Sequence, residues 1–448
     1  MANASAQRFE FIGHALRGDG PFRPVVNTDG FGVAVSVGSS YLVRYPRESQ
    51  EKYARRNELA FYASPLAEAC SRFTGYLATR SPTRQMPHKL YELMEDDVDG
   101  KGSSVEIFWS QFMVEAKARG SMLLLVDMPA EMARSMADQL RRRVVPYWTP
   151  YAPESLSDYA VGDDGKFDFV EFGGQFKGAD GKAVDCTWRF DREAWAATDK
   201  EKNKLAGDAH GLGECPMLIF TEGGDFPHFG PFAAIADLSK RLFNLDSELD
   251  EILRAQTFSL LTMQVPEDST TVQKLEAAKA VGETIGTNNL MVHSGTTPAF
   301  IAPDSGPAEV YLKRIDKLQA RIDELGLRVA SVDAQESGIA MQMRFQAINA
   351  ELARFAAGIE DLERRAWDLS RRWLAMTAAP VIQWPRDFQI ADVKAEVALL
   401  TEMQGAAMPP AVISEQQRRV ASLQFGGLDQ EAKDAIDSAI GERLLAVT

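Results

Sequence analysis

Three stretches of the chain repeat apolar residues every three or four positions and predict long helices. The first, after Pro231, carries Ile235, Leu238, Leu242, Leu245, Leu249 and Ile252. The second, after Pro307, carries Tyr311, Ile315, Leu318, Ile322, Leu325 and Val329. The third runs through Phe345, Ile348, Leu352, Phe355, Ile359, Leu362, Ala366, Leu369 and Trp373. Each lays down one narrow apolar seam, which needs a neighbouring helix to cover it. At about 1.5 Å per residue the third rod spans roughly 45 Å and the others roughly 30–40 Å, against a usual helix of about 11–12 residues.

Elsewhere the pattern shifts. Residues 1–50, rich in glycine and valine ("GFGVAVSVGSSYLV"), predict short strands or an arm. From Glu51 to about Gly120 the spacing is helical again, and "SMLLLVDMP" after it is an apolar run short enough to be a buried strand. Residues 146–220 alternate short strands with Gly, Pro and Asp turns, predicting a small, mostly antiparallel β region. Between the first two rods, "MQVPEDSTTVQKLEAAKAVGETIGTNNLMVHSGTTPAFIAP" predicts a compact α+β insertion: a strand, a short helix over Thr270–Val281, and two strands. Beyond Pro385, two or three short helices are expected, separated by "MPPAVIS" and "FGGL". The fold class is therefore α+β, predominantly α-helical.

The stretch "LGLRVASVDAQESGIAMQMRF", from Leu325 to Phe345, separates the second and third rods. Heptads extended from Val329 reach Glu336 and Met343, whereas the third seam passes through Phe345 and Leu352. The seams are out of phase, so one straight helix cannot bury both. Gly326 and Gly338 lower helix propensity at the junction.

With 448 residues the chain can bury a large core divided among about two to four domains. A composition of 45% hydrophobic and 25% charged residues is that of a globular protein. No apolar run reaches the length of a membrane span, and "MANASAQRFEFIGH" lacks a secretion signal, so a soluble intracellular product is expected. Cys70, Cys186 and Cys215 are too scattered for a disulfide framework or a CxxC site and predict buried, reduced thiols. The net charge of −15 argues against broad phosphate neutralisation, so contact with nucleic acid would have to be local, weak or transient.

No Walker loop, GxGxxG, HExxH or GxSxG is present, and the five histidines are not spaced for metal or triad chemistry. "GADGKAV" at Gly178–Val184 has neither the spacing nor the hydroxyl of a phosphate loop and reads as an Asp-Gly turn. No cofactor, no metal site and no catalytic residues are expected. "EDDVDGKGSSVE" is a near-miss: Glu95, Asp97, Asp99, Gly100 and Glu106 fall at the first, third, fifth, sixth and twelfth places of an EF-hand loop, but the first is normally the shorter Asp and no second hand follows. It reads as an acidic interhelical loop. Basic residues on the second rod form a sparse stripe, with Lys313, Lys317 and Arg321 at one spacing and Arg314, Arg321 and Arg328 at another. The stripe is either a solvated face partnered by Asp316, Asp323 and Glu324 or a surface for phosphate backbone.

The order of these elements resembles that of tailed-bacteriophage portal proteins, over roughly residues 41–440. The strings that carry the resemblance include "YARRNELAFYASPLAEACSRFTGYL", "DVDGKGSSVEIFWSQFMVEAKARGSMLLLVDMP", "PYWTPYAPESLSDY" and "ADLSKRLFNLDSELDEILRAQTFSLLTMQVP". "ESGIAMQMRFQAINAELARFAAGIEDLERRAW" and "MPPAVISEQQRRVASLQFGGL" complete the set. The resemblance implies a closed ring, commonly of about twelve identical subunits, at the portal vertex of a capsid assembled in the host cytoplasm. It further implies a channel for double-stranded DNA in packaging and ejection. Partners would be the terminase large subunit, major capsid and scaffolding proteins, and neck or adaptor proteins, with no membrane.

It implies, too, a wing domain over 41–230, a first stem helix over 231–258, a clip over 259–307 and a second stem helix over 308–330. A channel (tunnel) loop would occupy 331–340, a long kinked wing helix and wing return 341–386, and a crown 387–448. Residues 1–40 would be an N-terminal arm outside the resemblance. The channel loop would present Ser331, Val332, Asp333, Ala334, Gln335, Glu336, Ser337 and Gly338, and the stem would offer DNA Lys313, Arg314, Lys317, Arg321 and Arg328. ATP hydrolysis would belong to a motor partner, so the chain is expected not to be an enzyme. Two other readings stay open: a coiled-coil scaffolding or structural protein that forms no ring, and a nuclease or hydrolase with an unrecognised site.

Overall fold

The computed structural model describes residues 2–129, 133–177, 181–257, 260–264, 270–273, 290–293, 300–301, 306–326, 338–388, 393–406, 408–424 and 435–440. The expectation of strands for the first 50 residues is corrected at its start, where α1 (Ala2–Arg17) is a helix. Phe9, Ile12, Ala15 and Leu16 recur at helical spacing and are all buried. The glycine-valine stretch does form a hairpin of β1 (Val26–Thr28) and β2 (Ala34–Val37), paired antiparallel with Val26 opposite Val37.

Helices α2 (Gln50–Leu59) and α3 (Pro65–Leu77) follow, then β3 (Thr83–Gln85), α4 (Lys89–Asp96) and α5 (Val105–Arg119). Helix α5 starts at Ser104, whose hydroxyl accepts the Ile107 amide, and stops at Gly120, which adopts φ 81°. That left-handed turn suits glycine, and a Cβ there would also overlap the Gly230 backbone.

The run "SMLLLVD" is β4 (Ser121–Asp127), followed by α6 (Met136–Arg142) and β5 (Tyr147–Tyr151). An antiparallel meander succeeds them: β6 (Leu156–Val161), β7 (Phe167–Lys177), β8 (Ala183–Asp191), β9 (Ala194–Thr198) and β10 (Lys204–Ala209). Of "GADGKAV", residues 178–180 lie outside the described residues; on either side of them Lys177 of β7 pairs with Ala183 of β8. Strand β11 (Met217–Thr221) then returns to pair with β4, giving the order β11-β4-β5.

The first rod is α7 (Ala233–Thr257). The insertion holds β12 (Leu260–Gln264), β13 (Leu290–His293) and β14 (Phe300–Ile301), with β12 parallel to β13 and antiparallel to β14. Of the short helix expected at 270–281, only 270–273 fall among the described residues, and 271–273 are helical. The second rod is α8 (Gly306–Leu325) and the third is α9 (Gly338–Trp373). Strand β15 (Val381–Gln383) pairs with β3, and α10 (Val393–Gly405) and α11 (Pro410–Gln424) close the order. "MPPAVIS" carries the expected break in its first two residues, Met408 and Pro409, which lie between α10 and α11, whereas Pro410 opens α11 and Ala411–Ser414 continue it. Proline is tolerated at a helix start because the first N–H groups have no partner to lose.

Strand β4 explains why its sequence is a continuous apolar run. Leu123 and Leu125 join Met217, Ile219, Phe167, Val170, Phe172 and Phe190 in a sheet-on-sheet core, while Met122, Leu124 and Val126 face the helices. Alternate side chains leave opposite faces of a strand, and here both faces are covered. The larger core gathers α1, α3, α5, α7 and α9 around Trp109, Trp148 and Trp367. The third seam lies in it, with Leu352, Phe355, Ile359, Leu362, Ala366 and Leu369 all buried. All three cysteines are buried and unpaired; burial pushes the Cys215 thiol up to about 12 and raises Cys70 as well.

Candidate nucleic-acid interface

The candidate surface is the hairpin of α7 and α8. Tyr311 Oη donates to Glu248 Oε2 at 2.8 Å, tying the start of α8 to the second half of α7. That bond to a carboxylate, with partial burial, raises the Tyr311 phenol above its ordinary value. At its far end, α8 brings Gly326 against Ala69 of α3, where a Cβ would sit 3.0 Å from the Ala69 methyl. The ring of Phe73 on α3 lies 5.7 Å from that of Phe232, just before α7, so α7 and α8 run antiparallel.

Buried charge bolts α7 to the body. Arg56 on α2 donates to both oxygens of Glu48 (2.8 and 2.9 Å) and to Ser247 Oγ on α7 (3.3 Å), with both charged side chains almost fully covered. Asn244 Oδ1 accepts the Val43 amide at 2.8 Å, and its Nδ2 donates to the Tyr41 carbonyl at 3.1 Å. Helix α9 is held similarly. Glu363, wholly buried, accepts Arg84 Nε at 2.7 Å and the indole N–H groups of Trp384 (2.7 Å) and Trp367 (3.3 Å). Lys117 on α5, also wholly buried, bridges Glu222 (2.5 Å) and Glu351 on α9 (2.8 Å), its ammonium 4.0 Å from the Phe73 ring centre. None of this charged scaffold is visible in the hydrophobic pattern; the one sequence signal is that "EAKARG" places charge in a helix whose remaining positions are mostly apolar.

Four of the five stem residues expected to face DNA lie on α8, and all four are exposed: Lys313, Arg314, Lys317 and Arg321. Lys313 lies 4.0 Å from Glu309, and Arg321 pairs with Glu324 at 2.5 Å. Arg328 lies outside the described residues, as do Ser331, Val332, Asp333, Ala334, Gln335, Glu336 and Ser337 of the expected channel loop. Gly338 is described, and it opens α9, so the helix begins before the expected residue 341.

At about 100° per residue, the buried Ala308, Leu318 and Ile322 mark the inner face of α8. Lys313 and Ala320 lie opposite, with Lys317 and Glu324 beside them. Two flanks separate these faces. One carries Val310, Arg314 and Arg321; the other carries Leu312, Asp316 and Asp323. Val310 is 66% exposed and Leu312 48%.

The acidic loop at 95–106 is folded on itself. Asp97 Oδ1 accepts the Gly102 amide at 2.8 Å, and Asp99 Oδ1 accepts those of Lys101 and Ser103 at 2.8 and 3.2 Å. Partial burial opposes the Asp99 charge, but these hydrogen bonds outweigh it and hold the carboxyl below its ordinary value. Burial acts in the same direction as Asp96 and Glu106 on Glu95, and raises it. Glu106 sits in the first turn of α5. Among the described residues, no three His, Cys, Asp or Glu side chains are placed to hold a metal, and no helix is long and apolar enough to cross a membrane.

No family model matches the chain, and no curated protein matches it. Among solved structures, the chain is similar to one from the virion of the native gene transfer agent (GTA) particle, at 12% identity, covering 89% of this chain and 95% of that one with a TM-score of 0.42. It is similar also to one from the neck of the empty GTA particle computed with C6 symmetry, at 13% identity, covering 88% of this chain and 94% of that one with a TM-score of 0.44.

Proposed function

We propose that this chain is a portal-type subunit. In this reading identical copies close into a ring at one capsid vertex, and double-stranded DNA passes through the ring in packaging and ejection. The observation that carries the reading is the α7–α8 hairpin: two long antiparallel helices bracketing a separate β-containing insertion and fixed to an α+β body by hydrogen bonds from the buried Arg56 to Ser247 and between Asn244 and the Tyr41 and Val43 backbone. The insertion supplies a docking surface for the packaging motor or for neck proteins, and the terminase partner, not this chain, hydrolyses ATP.

Charge supports the same reading. A conduit making many phosphate contacts would retard DNA, since each neutralised phosphate adds affinity. A chain of net charge −15 that exposes only a few lysines and arginines on one helix offers DNA a weak, sequence-independent guide. A coiled-coil scaffold fits less well, because the rods are embedded in a mixed α+β core and not in one another alone.

Native mass spectrometry tests the ring. A species near twelve or so times the 49.4 kDa chain is expected, with a central hole in negatively stained images. A chain that stays monomeric at all concentrations and salt conditions would remove the reading.

A further inference from the structure

The two flanks of α8 are the same pattern displaced by two residues. Val310, Arg314 and Arg321 on one side correspond to Leu312, Asp316 and Asp323 on the other. A step of two residues turns the helix by about 200° and advances it by about 3 Å. An offset of about 3 Å along neighbouring rods, which a closed ring supplies when its rods tilt from the ring axis, therefore brings all three pairs together: an apolar contact and two opposite charges.

We infer that α8 is a heterologous docking element for a second copy of this chain, the arginine flank of one copy seating on the aspartate flank of the next. The inference rests on the ring reading above. The occupant follows from complementarity of charge and of spacing, which a flank and its own displaced copy satisfy together. A two-fold dimer would instead set each flank against itself, arginine on arginine. The same assignment divides the basic stripe. Arg314 and Arg321 serve the subunit contact, while Lys313 and Lys317, on the outer arc away from the buried face, are left for DNA. The intrahelical pair of Arg321 with Glu324 leaves the guanidinium 54% exposed, open to a second carboxylate.

The test uses the full chain in two variants, one carrying Arg314→Glu and Arg321→Glu, the other Asp316→Lys and Asp323→Lys. The first has two acidic flanks and the second two basic ones. Each alone should lose the high-mass species in native mass spectrometry while keeping the circular dichroism of the unaltered chain. An equimolar mixture should regain an assembly containing both variants, and the fourfold combined variant should assemble alone. Either double variant forming the unaltered assembly by itself would overturn the inference, as would a mixture and a combined variant that both stay monomeric. If the unaltered chain itself fails to assemble, it is the ring reading that falls.

Discussion

At the scale of single residues, the buried charges each have several partners, and those partners decide what substitution costs. Glu363 receives a guanidinium and two indole N–H groups in a site closed to water. Glu363→Ala leaves Arg84 charged and covered without its carboxylate, and should lower unfolding free energy by about 3–5 kcal/mol in urea titration. Glu48 behaves differently with pH. Burial raises its carboxyl, but the hydrogen bonds from Arg56 and the Tyr45 amide outweigh burial and hold it below its ordinary 4.5. A carboxyl depressed in the folded state contributes stability that is complete above its unfolded value and is lost as pH falls through the folded one. Stability should therefore decline below about pH 4.5, and Glu48→Gln should flatten that limb while lowering stability at neutral pH, as read by thermal unfolding across pH. Such sites are silent in sequence: Arg84 and Glu363 are ordinary surface-type residues until strand β3 is laid against α9.

At the scale of elements, the rods separate the jobs of holding and of contacting. Lys313→Glu with Lys317→Glu alters only the outer arc of α8, so ring assembly should survive while DNA packaging and ejection change, measured as packaged DNA per particle. Unchanged packaging and ejection would show that this arc does not meet DNA. Deleting Asp333–Ser337 should spare the ring and impair packaging or retention; a collapsed ring would make the segment structural instead. The helices themselves were readable because seams repeat locally, and Pro231 and Pro307 mark where two of them start. Helix α1 was missed although Phe9, Ile12 and Leu16 carry a helical period, because the glycines and valines after it dominate the window. "MPPAVIS" divides between both roles of proline: Pro409 stays in the gap between α10 and α11, while Pro410 opens α11, because proline breaks a helix interior but suits its first turn.

At the scale of the whole molecule, the fold is two cores sharing one three-stranded sheet, with an extended helix pair fixed to the larger core. Long rods of this kind expose flanks that a monomer leaves uncovered, which is why assembly mass is the measurement that bears most directly on function. Much of this was legible in the chain alone: three rods, the apolar strand β4 and the antiparallel meander. Each is a local matter of period, turn residues or spacing, expressed within a dozen or so neighbouring positions. The string could not show which charges are buried, that Lys117 meets Glu222 and Glu351, that α1 completes the core, or that the α8 flanks oppose each other beside a covered face. Those are relations between residues remote in sequence, or between a residue and its solvent exposure, and they exist only once the chain has closed around its cores.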